Sequence, residues 1–182
     1  IIATQAAAPP VLDAATIDES MPSWRVEPGR VVERTATDVA AAIRLLLLSA
    51  SERLILIDPY FSAGTLEKRA TLGGLCELLD ETKVTVHLHA TLAGASFAHR
   101  ALEVEQRLPA SIPAGVTVTV EFWDVPETVR FHNRYVLTEA CGVQFGDGIE
   151  EGVPGNQDRL SLLGEQEHAR LYAQYAPQPT HS

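Results

Sequence analysis

Cysteine is scarce in this chain: Cys76 and Cys141 are the only two in 182 residues, far apart and without histidine or cysteine at ligand spacing. That argues against a disulfide framework and a zinc module, and it suits a reducing, cytoplasmic setting. Basic residues are also in short supply, with 14 Lys and Arg against 24 Asp and Glu and a formal charge of -10. So acidic a chain offers no broad electrostatic footprint for duplex DNA or an anionic bilayer, although a local basic pocket is compatible with it. Long apolar runs are missing too: Leu45 to Leu48 is too short to cross a membrane, and no signal peptide is visible. There is no internal repeat. The chain opens on Ile1 rather than Met and is rich in Ala, Leu and Gly, so we expect a module cut from a longer, bacterial protein.

What is present is enough for one core, since 46% of the residues are hydrophobic. Residues 1–34 read as a linker or N-terminal arm, because Pro9, Pro10, Pro22 and Pro28 interrupt any periodic pattern; Trp24 could anchor it. An α/β domain is expected over residues 35–176, with a tail at 177–182. Thr35 and Asp38 form a capping box for a helix reaching Ala50. Arg53 to Asp58 is an apolar run of the kind buried on both faces of a parallel sheet. A helix from Thr65 to Glu81 contains Gly73 and Gly74, which call for a break or a close contact with the sheet. Lys83 to Thr91 alternates, with Val84, Val86, Leu88 and Ala90 opposite Thr85, His87, His89 and Thr91. A helix over Ser96 to Leu108, a strand over Val116 to Trp123, strands near Gly142 to Phe145 and Leu160 to Leu163, and a closing helix over Gly164 to Tyr175 complete the order. Strands that alternate with helices and then run together predict a mixed, largely parallel sheet flanked by helices.

The stretch with most chemistry runs from Arg130 to Ile149, RFHNRYVLTEACGVQFGDGI. As a strand it projects His132 and Arg134 together, with Phe131, Tyr135 and Leu137 on the other face. A guanidinium fork beside an imidazole suits a phosphate: the first clamps it, and the second can attack, protonate or donate. The bland alternative is that His132 and Arg134 form an ordinary polar strand face, salt-bridged to Glu121 or Asp124. Asp58, at the end of its buried strand, is either a binding group or a turn starter. Tyr60 and Phe61 read as core. His87 and His89 could join Asp58 at a metal only with a third strong ligand motif, so neither metal nor cofactor is expected.

This stretch resembles the phospholipase D superfamily pattern His-x-Lys-x4-Asp followed by Gly-Ser-x-Asn. His132 falls on the histidine, Arg134 on the lysine, Glu139 on the aspartate and Gly146 on the glycine. Asp147 stands in place of the serine and Ile149 in place of the asparagine. The C-terminal domain of eukaryotic MIT-domain proteins is similar too, with a phospholipase-D-like fold and a His-x-Arg strand without the full catalytic set. The resemblance implies a phospholipase-D-like fold, with His132, Arg134 and Glu139 as catalytic candidates and Gly146, Asp147 and Asp58 as binding candidates. In the enzymes the histidine forms a phosphohistidine, no metal is needed, and a second motif supplies the acid. With a single motif, activity would need a homodimer or a missing second half.

Three readings therefore stand. The chain is a degenerate phospholipase-D-like module binding a phosphodiester ligand, a nucleic acid or lipid headgroup, or a protein partner. Otherwise it is a metal-independent phosphodiesterase, nuclease or phospholipase, active as a homodimer. Last comes an unrelated α/β small-molecule-binding domain with its site near Asp58.

Overall fold

Seven strands form one mixed sheet, in the order β1-β7-β6-β5-β2-β3-β4. The structure, a computed structural model, describes residues 29–79, 84–92, 94–125, 133–149, 152–153 and 155–176. Its elements in chain order are β1 (Gly29–Glu33), α1 (Ala36–Ala42), α2 (Arg44–Leu48), β2 (Arg53–Ile57), α3 (Leu66–Cys76), β3 (Thr85–Thr91), α4 (Phe97–Arg107), a 3-10 turn (Pro109–Ser111), β4 (Thr117–Trp123), β5 (Arg134–Leu137), β6 (Gly142–Phe145), β7 (Gln157–Leu162) and α5 (Glu165–Tyr175). Parallel pairing is confined to β2, β3 and β4. All other ladders are antiparallel. The expectation of a largely parallel sheet is corrected accordingly: short connections between β5, β6 and β7 have no room for a crossover and return each strand beside its predecessor.

β1 lies inside the segment read as an arm. Its five residues hold too little alternation to announce a strand, and pairing with β7 is what makes one. Trp24 and the remaining residues up to 28, and the tail at 177–182, lie outside the described residues. The helix expected over Thr35 to Ala50 starts on its capping box, where Thr35 Oγ1 accepts from Asp38 N–H at 3.0 Å and donates to Asp38 Oδ2 at 2.7 Å. It is interrupted at Ile43, whose φ of -105° and ψ of 12° leave the helical region. β7 begins earlier than the alternation suggested, at Gln157.

The two sheet faces carry separate cores. Leu54, Leu56, Val86, Leu88, Val136 and Phe145 belong to the larger one, packed with residues of α1, α2 and α3. Ile55, Ile57, Tyr135 and Leu137 pack with Leu171 and Tyr175 of α5. Parity along β2 and β5 therefore assigns Asp58 and Arg134 to the α3 face. Gly73 and Gly74 do not break α3. A Cβ at Gly73 would lie 2.4 Å from the Ser111 carbonyl oxygen, so the close contact is with the 3-10 turn, not with the sheet.

Candidate functional site

β2 ends in Asp58-Pro59-Tyr60-Phe61, and the turn there is built by Asp58 itself, whose Oδ1 accepts from Tyr60 N–H at 3.0 Å. Asp58 is 2% exposed. A carboxylate so deeply placed needs positive partners. Among the described residues it has two: Arg134 Nε lies 3.7 Å from Oδ1 and Lys68 Nζ 3.7 Å from Oδ2. Arg134 comes from the first residue of β5, and Lys68 from the first turns of α3. Lys68 also donates to the Tyr60 carbonyl. The Tyr60 ring underlies the Arg134 guanidinium with 5.0 Å from Cζ to the ring centroid, a cation–π contact. Tyr60 is 40% exposed and Phe61 buried, so only the second of these aromatics is core. The ion pair that the structure places on Arg134 is with Asp58, where the sequence suggested Glu121 or Asp124.

Beneath the cluster lies a cavity of about 20 Å³ walled by Leu56, Leu72, Leu75, Leu88 and Ile149. That is room for about one water. Ile149 is itself buried, so the position matching the asparagine of the resembled pattern is committed to the core.

Gly146 follows Phe145, the residue paired with Arg134, and so lies toward the same end of the sheet. Its loop already holds an anion. Asp158 Oδ1 accepts from Gly146 N–H at 3.1 Å and Asp147 N–H at 3.0 Å, and Oδ2 from Gly148 N–H at 3.4 Å. Successive amides facing one oxygen acceptor make an anion-binding nest, filled here by the chain's own carboxylate. A side chain on Gly146 would place Cβ 2.8 Å from that oxygen. The Asp147 side chain is exposed.

Glu139 is at the other end of the β2–β5 pair from Arg134, in the turn after β5. Its carboxylate accepts from Ser51 N–H at 3.1 Å, Glu52 N–H at 3.1 Å and Arg53 N–H at 2.7 Å. Burial pushes its pKa up, but hydrogen bonds from its own backbone and those of Ser51, Arg53 and Glu52 outweigh that and hold the carboxyl below its ordinary value. It serves as the anchor for the chain entering β2, and the structure does not bring it to Arg134. His132 and Phe131 lie outside the described residues. Among the described residues, no group of three or more His, Cys, Asp or Glu is placed to hold a metal ion. His89 instead is buried between Trp123 and Tyr175, accepting from Trp123 Nε1 at 3.1 Å.

Sequence reasoning named Asp58 and Arg134 separately but missed Lys68 and Asp158. The available signals were a lysine one helical turn into the element after the Asp-Pro turn, and an aspartate directly after a glycine-rich loop. Neither is specific without the fold.

No protein-family model and no curated protein matches the chain. The mixed α/β sheet does have a structural neighbour in the phospholipase D family. That neighbour is Nuc from Salmonella typhimurium, at 9% identity and a TM-score of 0.45 over 80% of this chain and 89% of that one. Another is TrmBL2, an archaeal chromatin protein with a novel mode of DNA binding, at 15% identity and a TM-score of 0.44. That alignment covers 89% of this chain and 55% of TrmBL2, so the chain spans about half of its length. Likenesses this loose transfer no residue role. Among the described residues, no helix is long and apolar enough to cross a membrane.

Proposed function

We propose that the chain is a phospholipase-D-like module, degenerate at the catalytic motif, that binds a phosphodiester ligand at the Asp58, Arg134 and Lys68 end of its sheet on behalf of a larger protein. The observation that carries this reading is the cluster at that end: among the described residues, two cations share one buried carboxylate. A local positive excess on a chain of formal charge -10 is where an anion would settle. The Arg134 fork, held over Tyr60, is the group to grip it. Ile149 packed in the core and an acidic Asp147 favour binding without turnover.

The test is calorimetric titration with inorganic phosphate, a short single-stranded oligonucleotide and vesicles containing an anionic phospholipid. Binding of at least one phosphodiester probe, weakened about tenfold or more by Arg134→Gln, is expected, a loss of about 1.4 kcal/mol. Equal affinity in the variant, or no binding by any probe, would sink the proposal. The spacing of His132 and Arg134 keeps one rival, a metal-independent phosphodiesterase. Hydrolysis of bis(p-nitrophenyl) phosphate that disappears in His132→Ala, with a trapped phosphohistidine, would replace binding by catalysis.

A further inference from the structure

β4 is the last strand of the sheet, and among the described residues nothing pairs with its outer edge. The Trp123 carbonyl accepts from Leu92 N–H on the β3 side at 3.2 Å. Backbone groups alternate in direction along a strand, so odd-numbered residues of β4 serve the ladder with β3. Val118, Val120 and Phe122 therefore turn their N–H and C=O groups outward.

Edges of this kind are normally blunted by lysine, proline, a bulge or an inward charge. The sequence TVTVEFW has no proline, glycine or lysine, and Glu121 is its single charge. The opposite edge, β1, carries Arg30 and Glu33. Apolar surface continues from β4 onto α4, which buries no residue fully and leaves Phe97 63% and Leu102 49% exposed. The Phe97 ring meets Phe122 edge-on with centroids 6.3 Å apart.

We infer that β4 is a self-association edge that takes a second copy of this chain in antiparallel pairing centred on Val120. A two-fold contact between strands needs outward-directed residues opposite one another and a sequence that tolerates its own reversal. With Val120 opposite its counterpart, Val118 faces Phe122 and Thr119 faces Glu121. All outward backbone groups of the strand then find partners, and the apolar faces of both sheets become continuous. Centring on Glu121 instead sets two carboxylates face to face, which is unfavourable. A slip by one residue inverts the faces and turns outward groups toward inward ones. Charge thus disfavours the Glu121-centred register, and centring on Val120 keeps the whole of β4 opposite its counterpart. The acidic net charge opposes association at long range, so added salt strengthens the dimer.

Sedimentation velocity of the full chain across a micromolar to submillimolar series tests this, with a concentration-dependent rise from monomer to dimer mass expected. Val120→Pro removes an N–H that β3 does not use, a substitution edge strands tolerate, and yields a monomer with unchanged circular dichroism. Thr119→Glu sets a second carboxylate against Glu121 and weakens the dimer about tenfold; combining it with Glu121→Lys restores association. A monomer at every concentration overturns the inference. So does a dimer indifferent to Thr119→Glu, which decides the matter even if Val120→Pro does not fold.

Discussion

Arg134 and Asp58 face each other one step beyond the Ile57–Tyr135 pair of the β2–β5 ladder, with Nε 3.7 Å from Oδ1. The same ladder is closed at its other end by Glu139, whose Oε1 accepts from Arg53 N–H at 2.7 Å. Each end of this central pair is thus held by a carboxylate, and among the described residues the first of them gathers cations.

Removing the charge at Asp58 should therefore be costly. Asp58→Asn keeps an acceptor for Tyr60 N–H but removes the carboxylate charge that Arg134 and Lys68 share, for an expected loss of about 1–3 kcal/mol in urea denaturation. Arg134→Met should cost less, about 1 kcal/mol, because Lys68 remains beside Asp58. A double-mutant cycle with no coupling would show that their proximity is incidental.

Glu139→Gln should destabilise the fold by about 1–2 kcal/mol at neutral pH, since three backbone donors lose a charged acceptor at a partly solvated site. Because the folded carboxyl is held below its ordinary value, the folded state binds fewer protons than the unfolded chain. The contribution is complete above the unfolded pKa of about 4.3 and fades as pH falls through the lower folded value. Melting curves of wild type and variant should converge in acid; a gap that stays constant would refute the assignment.

His89 sets a second pH dependence. Burial lowers its pKa from 6.5, Glu121 opposes that, His87 adds to it, and a hydrogen bond to the Tyr175 backbone opposes it. Trp123 Nε1 donates to Nδ1, which requires a neutral ring at that nitrogen. The depressed folded value means that this stability is present above about pH 6.5 and is lost as pH falls through the folded pKa. Thermal melts of His89→Phe should show a flatter slope between about pH 7 and 5 than wild type. Identical slopes would place the titrating group elsewhere.

Neighbouring glycines in α3 should respond oppositely to alanine. Gly73→Ala drives a methyl against the Ser111 carbonyl and should cost about 1–3 kcal/mol despite its better helix propensity. At Gly74 the nearest atom is Ala36 Cβ at 3.9 Å, so Gly74→Ala should gain about 0.5–1 kcal/mol. Denaturation midpoints moving the same way for both would contradict the packing described.

Local rules made much of the fold legible. Thr35 and Asp38 announced α1, Ser96 preceded α4 and caps it by accepting from His99 N–H, and alternation marked β3 and β4. The hairpin between β5 and β6 was also readable, with Thr138 N–H bonded to the Cys141 carbonyl. His89 was placed on the polar face of β3, yet it is 1% exposed, because Trp123 and Tyr175 close over it. Asp58 and Arg134 each drew notice singly, as an acid ending an apolar strand and a guanidinium in a motif-like stretch.

By itself the chain's residue order determined, β1 excepted, which segments form strands and helices and which side chains share a face, since those depend on periods of a few residues. Tertiary structure alone decided that Asp58 meets Arg134 and Lys68, that Asp158 fills the Gly146 loop and that Glu139 anchors the start of β2. Such partnerships depend on which strands become neighbours and in what register. Those choices are made by the closure of the whole sheet around its two cores, and no local pattern encodes them.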